Sequence, residues 1–333
     1  MRKLLLGTTA IAAAATLSAN TALADVSLSG GYEFIYTSQD AGYTSAGSSF
    51  DSFASDSDLK ISFTNKTDSG LTIGMHIAQQ DGAGYDETSM SIAGGFGTLI
   101  LGADDGAGDR LTRTAHDILG PGALNDHGGD VKRASTTLAD DNADLVNDID
   151  DANNVTYILP TMGGLTIGAS YADAGSGVSD NADESVVAAM YSFESGAVKG
   201  TIHYGQNSIS GSTVGAASLD SNSMALDIST GPFRAVMAKA ESDLSATNTT
   251  EIMDYGVQYS VGNGLTLAAV GTQIEANTGT EASDVTSVSA RYTIASGLEA
   301  SLTYHDYDYE DGTTSTTADD DGSYTQFIIK ASF

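Results

Sequence analysis

The chain has 333 residues, no cysteine, 38 glycines, 3 prolines and a formal net charge of −31, from 13 basic against 44 acidic side chains. Such a surface repels nucleic acid and anionic headgroups and attracts cations; without a thiol, disulfide stapling and thiol chemistry are both excluded. Charged residues make up only 17% of the chain and tyrosines outnumber phenylalanines 15 to 9, which suits closely packed sheets with phenols at a wet boundary better than a large soluble core.

At the amino end, Met1-Arg2-Lys3 is basic, Leu4 to Leu17 is apolar and alanine-rich, and Ala22-Leu23-Ala24 supplies small residues for cleavage. This predicts a secretory signal peptide over 1–24, with the mature chain at 25–333. Its removal takes Arg2 and Lys3 and no acid, moving the net charge from −31 to −33. The apolar run falls short of the roughly 20 residues a transmembrane helix needs, and no second one follows, so a helical membrane protein is excluded.

From Asp25 onward the dominant period is two. In "LTIGMHIA", Leu71, Ile73, Met75 and Ile77 fall on one face, with Thr72, Gly74, His76 and Ala78 on the other. In "EIMDYGVQYSV", Met253, Tyr255, Val257, Tyr259 and Val261 oppose Asp254, Gly256, Gln258 and Ser260. Sixteen such runs are expected, at 25–37, 57–67, 70–80, 86–94, 97–103, 153–160, 164–173, 183–193, 197–208, 219–229, 232–241, 250–261, 264–275, 283–294, 297–309 and 322–333. Most are near the roughly 9 to 11 residues with which a tilted strand crosses a bilayer.

Short glycine-bearing turns such as "ESGA" (194–197) and "VGNG" (261–264) alternate with longer polar links: 38–56, 81–85, 104–152, 174–182, 209–218, 242–249, 276–282 and 310–321. That alternation predicts a barrel with its turns at one membrane face and its loops at the other. The third long link breaks the two-residue period. In "DRLTRTAHDILG" (109–120), Leu111, Ala115, Ile118 and Leu119 recur at helical spacing. Residues 104–152 also hold twelve aspartates, including Asp104, Asp105, Asp109 and Asp117, against Arg110, Arg113, Lys132 and Arg133, a net charge of about −8. The chain closes on "YTQFIIKASF", with Phe327, Ile329, Ala331 and Phe333 on one face.

The start of the mature chain "ADVSLSGGYEFIYT" (24–37), the strand and loop entry "GTLILGADDGAGD" (97–109) and the closing "FIIKASF" (327–333) resemble the general porins of Gram-negative bacteria, specifically those of alphaproteobacteria. The resemblance implies an all-β fold, a 16-stranded antiparallel transmembrane β-barrel whose inward-folded third loop narrows an aqueous channel. It also implies a multi-pass place in the outer membrane, contact with its lipid, and usually a homotrimer. The function expected is passive diffusion of ions and small hydrophilic solutes. In this family a basic cluster on the wall commonly faces the acidic loop; by parity the inward candidates are Lys60, Lys199, Arg234 and Arg291, with His203 nearer mid-height. The expected constriction set is Asp104, Asp105, Asp109, Asp117, Lys60, His203, Arg234 and Arg291; scarce bases favour an opening dominated by carboxylates, and the cation preference expected from it is weak because the pore is wide and salt screens charge.

Three other readings compete with a general diffusion channel. A substrate-specific channel for a sugar or other nutrient would place aromatics along the lumen, whereas Tyr32, Tyr36, Tyr171, Tyr191, Tyr255, Tyr259 and Tyr292 keep to the apolar parity; Tyr307 and Tyr309 are the exceptions. A barrel enzyme would need a nucleophile motif, which none of His76, His116, His127, His203 and His305 adjoins. A secreted calcium-binding adhesin would show a short glycine-aspartate repeat, and there is none. No cofactor is expected; "DLVNDIDD" (144–151) and "ADDDG" (318–322) leave loop-bound calcium as an alternative to plain solvated acid.

Overall fold

The computed structural model describes residues 24–39, 50–80, 84–123, 149, 152–173, 183–210, 219–245, 248–276, 281–310 and 320–333. The predicted signal peptide therefore lies outside the described residues, as does most of the acidic stretch 124–151 and of the two calcium candidates.

Alternating side chains and glycine turns produce sixteen strands: β1 (Asp25–Gln39), β2 (Phe50–Lys66), β3 (Thr72–Gln80), β4 (Tyr85–Gly94), β5 (Gly97–Ala103), β6 (Asn153–Ile158), β7 (Leu165–Ala172), β8 (Asp183–Ser195), β9 (Val198–Ser210), β10 (Leu219–Thr230), β11 (Phe233–Ser245), β12 (Asn248–Gly262), β13 (Leu265–Ala276), β14 (Glu281–Ala295), β15 (Leu298–Glu310) and β16 (Asp320–Ser332). Each pairs antiparallel with its sequence neighbours, and β1 pairs with β16 from Gly31 opposite Ser332 to Gln39 opposite Tyr324, so the sheet closes on itself and leaves no edge. A sixteen-stranded closure is too wide for its own side chains to fill.

Two expectations needed correction. Strand β2 begins seven residues earlier than predicted, at Phe50, because pairing with the full length of β1 (Gln39 opposite Phe50) carries the ladder through the polar run "FDSFASDSD". Likewise β11 reaches Ser245 and β12 starts at Asn248, so the link expected at 242–249 shrinks to 246–247; strands continue as long as a neighbour supplies hydrogen bonds, whatever their polarity.

One face of every strand is apolar and open, as with Leu28, Phe53, Val257 and Leu302. A continuous apolar belt of this kind needs lipid around it. Tyr191 stacks on Phe193, and Phe233 tilts against Tyr259, at the short-turn end; Phe34 and Tyr36 meet Phe53 on the β1–β2 wall. Such aromatic pairs suit a membrane interface. The opposite face of the strands is small or polar, and it surrounds the lumen.

Candidate functional site

The described start of the insertion after β5, residues 104–123, turns into the barrel and lies along its inner wall. It begins with a short helix, α1 (Ala107–Leu111), and carries a single 3₁₀ turn at His116–Ile118. The helical spacing of 109–120 therefore resolves into two pieces. Thr112 is extended (φ −93°, ψ 177°), and its Oγ1 donates to the Gly108 carbonyl, ending α1. Wall contacts impose this break: beyond Leu111 the segment must follow the curvature of the barrel rather than a helix axis.

The docking surface is made of small residues. At inward-facing Gly168, an added Cβ would lie 3.0 Å from Leu111 Cδ1 and 3.1 Å from Ala107 Cβ; at Gly256 it would lie 2.7 Å from Ile118 Cδ1. Glycine is thus required there for close approach. Ala115, Ile118, Leu119 and Ala123 are buried against Val236, Ala268 and Val270 of β11 and β13.

Hydrogen bonds complete the attachment, because the segment's carbonyls have no ladder of their own. His203 Nδ1 donates to Leu111 O (2.7 Å), Gln258 Nε2 to Ile118 O (2.9 Å), Ser289 Oγ to Leu119 O (2.9 Å), Ser301 Oγ to Pro121 O (3.0 Å) and His305 Nε2 to Gly122 O (2.9 Å). Ser170 Oγ receives the Ala107 amide at 2.6 Å, and His116 Nε2 meets Thr272 Oγ1 at 2.7 Å. The described segment thus follows the wall from β7 to β15 and approaches Gln326 and Ile328 of β16 at Gly122.

The free side of the segment carries Asp105, Asp109, Arg110, Arg113 and Asp117. Arg113 bonds Asp117 at 3.1 Å. Arg110 pairs with Asp104 and also donates from Nε to the Asp105 carbonyl (2.9 Å), while Ser89 Oγ holds the other Asp104 oxygen at 2.5 Å. Burial, then the charge and hydrogen bond of Asp109, push the Asp105 carboxyl up to about 6 in spite of Arg110. Carboxylate oxygens of Glu87, Asp104 and Asp105 come within 4.8 Å of one another, a group able to hold a cation.

Across the channel, a recess of about 390 Å³ is lined by Glu33, Asp56, Asp58, Lys60 and Lys330, among others. Lys330 is paired with Glu33, and Glu33 stands opposite Asp56 in the ladder. His76 meets Glu87 at 2.7 Å. Acids therefore accompany the bases on both sides of the opening.

The eight residues expected at the constriction thus occupy four places. Asp105, Asp109 and Asp117 are on the free side of the segment, with Asp104 buried behind Arg110. Lys60 is on β2, in the recess with Glu33, Asp56, Asp58 and Lys330. His203 and Arg291 lie beneath the segment, His203 buried and Arg291 with Nη1 2.5 Å from where a Cβ on Gly120 would stand. Arg234 is nearer the short turns, in a bidentate pair with Asp227 (3.1 and 2.6 Å), where Lys199 also lines a recess of about 450 Å³. Sequence reasoning passed over Glu33, Asp58, Lys330 and the wall donors Gln258, Ser289 and Ser301. Parity marks all of them as inward, but only closure tells which inward residues meet the segment.

A family model described as Gram-negative porin matches residues 7–332. Nothing matches among curated proteins. Among solved structures, the chain is similar to an anion-selective porin from Comamonas acidovorans (15% identity, covering 93% of this chain and 100% of that one, TM-score 0.66). It is also similar to the outer-membrane protein OmpT of Vibrio cholerae (14%, 93% and 98%, TM-score 0.64) and to a mutant of the Rh. blastica porin (17%, 92% and 100%, TM-score 0.62). At such identities these structures bear on the fold.

Proposed function

The chain belongs to the Gram-negative porins, and from that premise we propose a general diffusion channel with weak cation preference, its opening bounded by the inserted segment and the wall β16–β1–β2–β3–β4. A multi-pass outer-membrane barrel with a water-filled lumen is what the family and the closed sixteen-stranded sheet give. The observation that carries the finer reading is the surplus of acid at the opening: Asp105, Asp109, Asp117, Glu33, Asp56, Asp58 and Glu87 outnumber Arg110, Arg113, Lys60 and Lys330. Every one of those bases except Lys60 has a bonded or closely placed carboxylate, Asp104, Asp117 or Glu33, which leaves little free positive potential. Preference is weak because the opening is wide and salt screens charge over about 8 Å at physiological strength.

Unspecific passage is supported by the aromatics. Tyr171, Tyr191, Tyr255, Tyr259 and Tyr292 point to lipid, while Tyr307 and Tyr324, on the lumen parity, are buried and tilt against each other rather than forming an exposed track. A homotrimer is proposed on family grounds.

Reversal potential in planar bilayers under a potassium chloride gradient tests the reading. The expected sign is potassium faster than chloride, reduced when Asp104, Asp105, Asp109 and Asp117 are all changed to Asn. Faster chloride in the unaltered protein refutes the cation preference; an unchanged potential in the variant removes these side chains from the opening.

A further inference from the structure

The chain has only five histidines, and three of them lie at the contact between the inserted segment and the wall. His203 on β9 binds the Leu111 carbonyl, His305 on β15 binds the Gly122 carbonyl, and His116, in the segment between them, reaches Thr272 on β13. All three are buried, His116 and His305 completely. We infer that these imidazoles are positioning residues that hold the segment only while neutral, and that acid protonates them, releases the segment into the lumen and closes the channel. The inference rests on the channel reading above.

The hydrogen bonds require neutral rings. A carbonyl only accepts, so His203 must carry its proton on Nδ1 and His305 on Nε2. The second nitrogen of each then accepts from a hydroxyl: Thr201 Oγ1 to His203 Nε2 and Ser287 Oγ to His305 Nδ1, both at 2.7 Å. A further proton would land on that accepting nitrogen, turning it into a donor and forcing the hydroxyl to find another acceptor. His116 has a ring nitrogen, Nδ1, with no hydrogen-bond partner and no exposed surface. A charge on any of the three would be buried, which is costly.

The surrounding charges do little to offset that cost. His203 has Arg113 and Asp117 on the segment and Asp227 on β10 around it, opposing signs that partly cancel. His305 is stacked on Tyr324 at 4.3 Å, and His305 and His116 repel each other across the interface once protonated. Asp254 on β12, 3.8 Å from His116 Nε2, is the group that would favour the imidazolium in place. Burial outweighs it, pushing His116 down to about 3.

The linkage has a definite sign. The His116 ring takes up its proton near 6.5 when released and near 3 when docked, so between those values the free segment binds more protons than the docked one. Acid therefore favours release, by up to about tenfold per pH unit for each proton taken up. Because the segment already lies flat on the wall, any displacement carries it into the channel, and conductance falls.

The test is single-channel conductance of the full barrel in planar bilayers as both chambers are taken from pH 7.5 to 3.5. A reversible step to low conductance, steeper than a one-proton titration, is expected. A control separates it from titration of lumen carboxylates. The variant His116→Asn with His203→Gln and His305→Gln keeps side-chain amide donors without the titration, retains every lumen carboxylate, and should stay open at acid pH. His116→Asn alone should make the step shallower, which keeps the inference testable if the triple variant does not assemble. An acid step that survives in the triple variant, or one of undiminished steepness in His116→Asn, overturns the inference, as does an unaltered protein with no step. A protein that forms no channel at neutral pH overturns the channel reading first.

Discussion

Replacing Leu119 with Ala should loosen the inserted segment without opening the barrel. Leu119 is fully buried among Ala115, Ile118, Ala123, Val236, Ala268 and Val270. The change removes three carbons, about 2.4 kcal/mol at about 0.8 kcal/mol per buried methylene. The cavity left behind brings the cost to about 3 kcal/mol, within the range of about 2–5 found for such truncations. Five wall-donated hydrogen bonds to Leu111, Ile118, Leu119, Pro121 and Gly122 remain, each worth about 1 kcal/mol net. A loss of 3 kcal/mol against attachments of that size lowers the docked-to-free ratio by roughly 100-fold or more. The strand ladder is untouched, so the barrel should keep its resistance to detergent at room temperature. Single-channel recordings at neutral pH should show more open-channel noise and brief partial closures, and external protease should cut within 104–123 faster than in the unaltered protein. Unchanged noise together with unchanged protection would mean that apolar burial under the segment does not hold it.

Gly256→Val drives a side chain against Ile118 Cδ1 and Val270 Cγ2, both nearer than 3.0 Å to the new Cβ, and overpacking of about 1–3 kcal/mol should displace the segment and lower unitary conductance. Arg113→Gln removes an exposed partner of Asp117, worth about 0.3–0.5 kcal/mol, so thermal stability should hardly move while the reversal potential shifts toward cations. Asp105, held up at about 6, is charged at pH 7.5 and protonated at pH 5, so cation preference should fall between those values, and Asp105→Asn should remove the part of that change centred near 6. Its effect on docking runs opposite to that of His116. A carboxyl raised from 3.8 binds more protons docked than free, so its contribution to stability is present in acid and lost as the pH rises through about 6.

What the sequence determines by itself is what local chemistry can encode. Alternation along "LTIGMHIA" and "EIMDYGVQYSV" assigns each side chain to lipid or lumen, and glycines in turns such as "VGNG", where Asn263 (φ 51°) and Gly264 (φ 86°) take left-handed backbone, set where strands reverse. The break in period at 104–152 marks the inserted segment, and Leu111, Ile118 and Leu119 mark the side that docks. Register around the closed sheet had to decide the rest. It extended β2 through a polar run, since a paired neighbour satisfies backbone groups regardless of side chain. It set His203 against Leu111, 92 residues away in sequence, and His305 against Gly122, 183 away, and so turned lumen histidines into anchors. Lys330 meets Glu33 directly opposite it across the seam that joins the two ends of the barrel, and Arg234 meets Asp227 diagonally, two positions along the neighbouring strand, only because register brings these strands together. Parity is a property of one strand; which charges meet, and which remain facing water, belongs to the closed sheet.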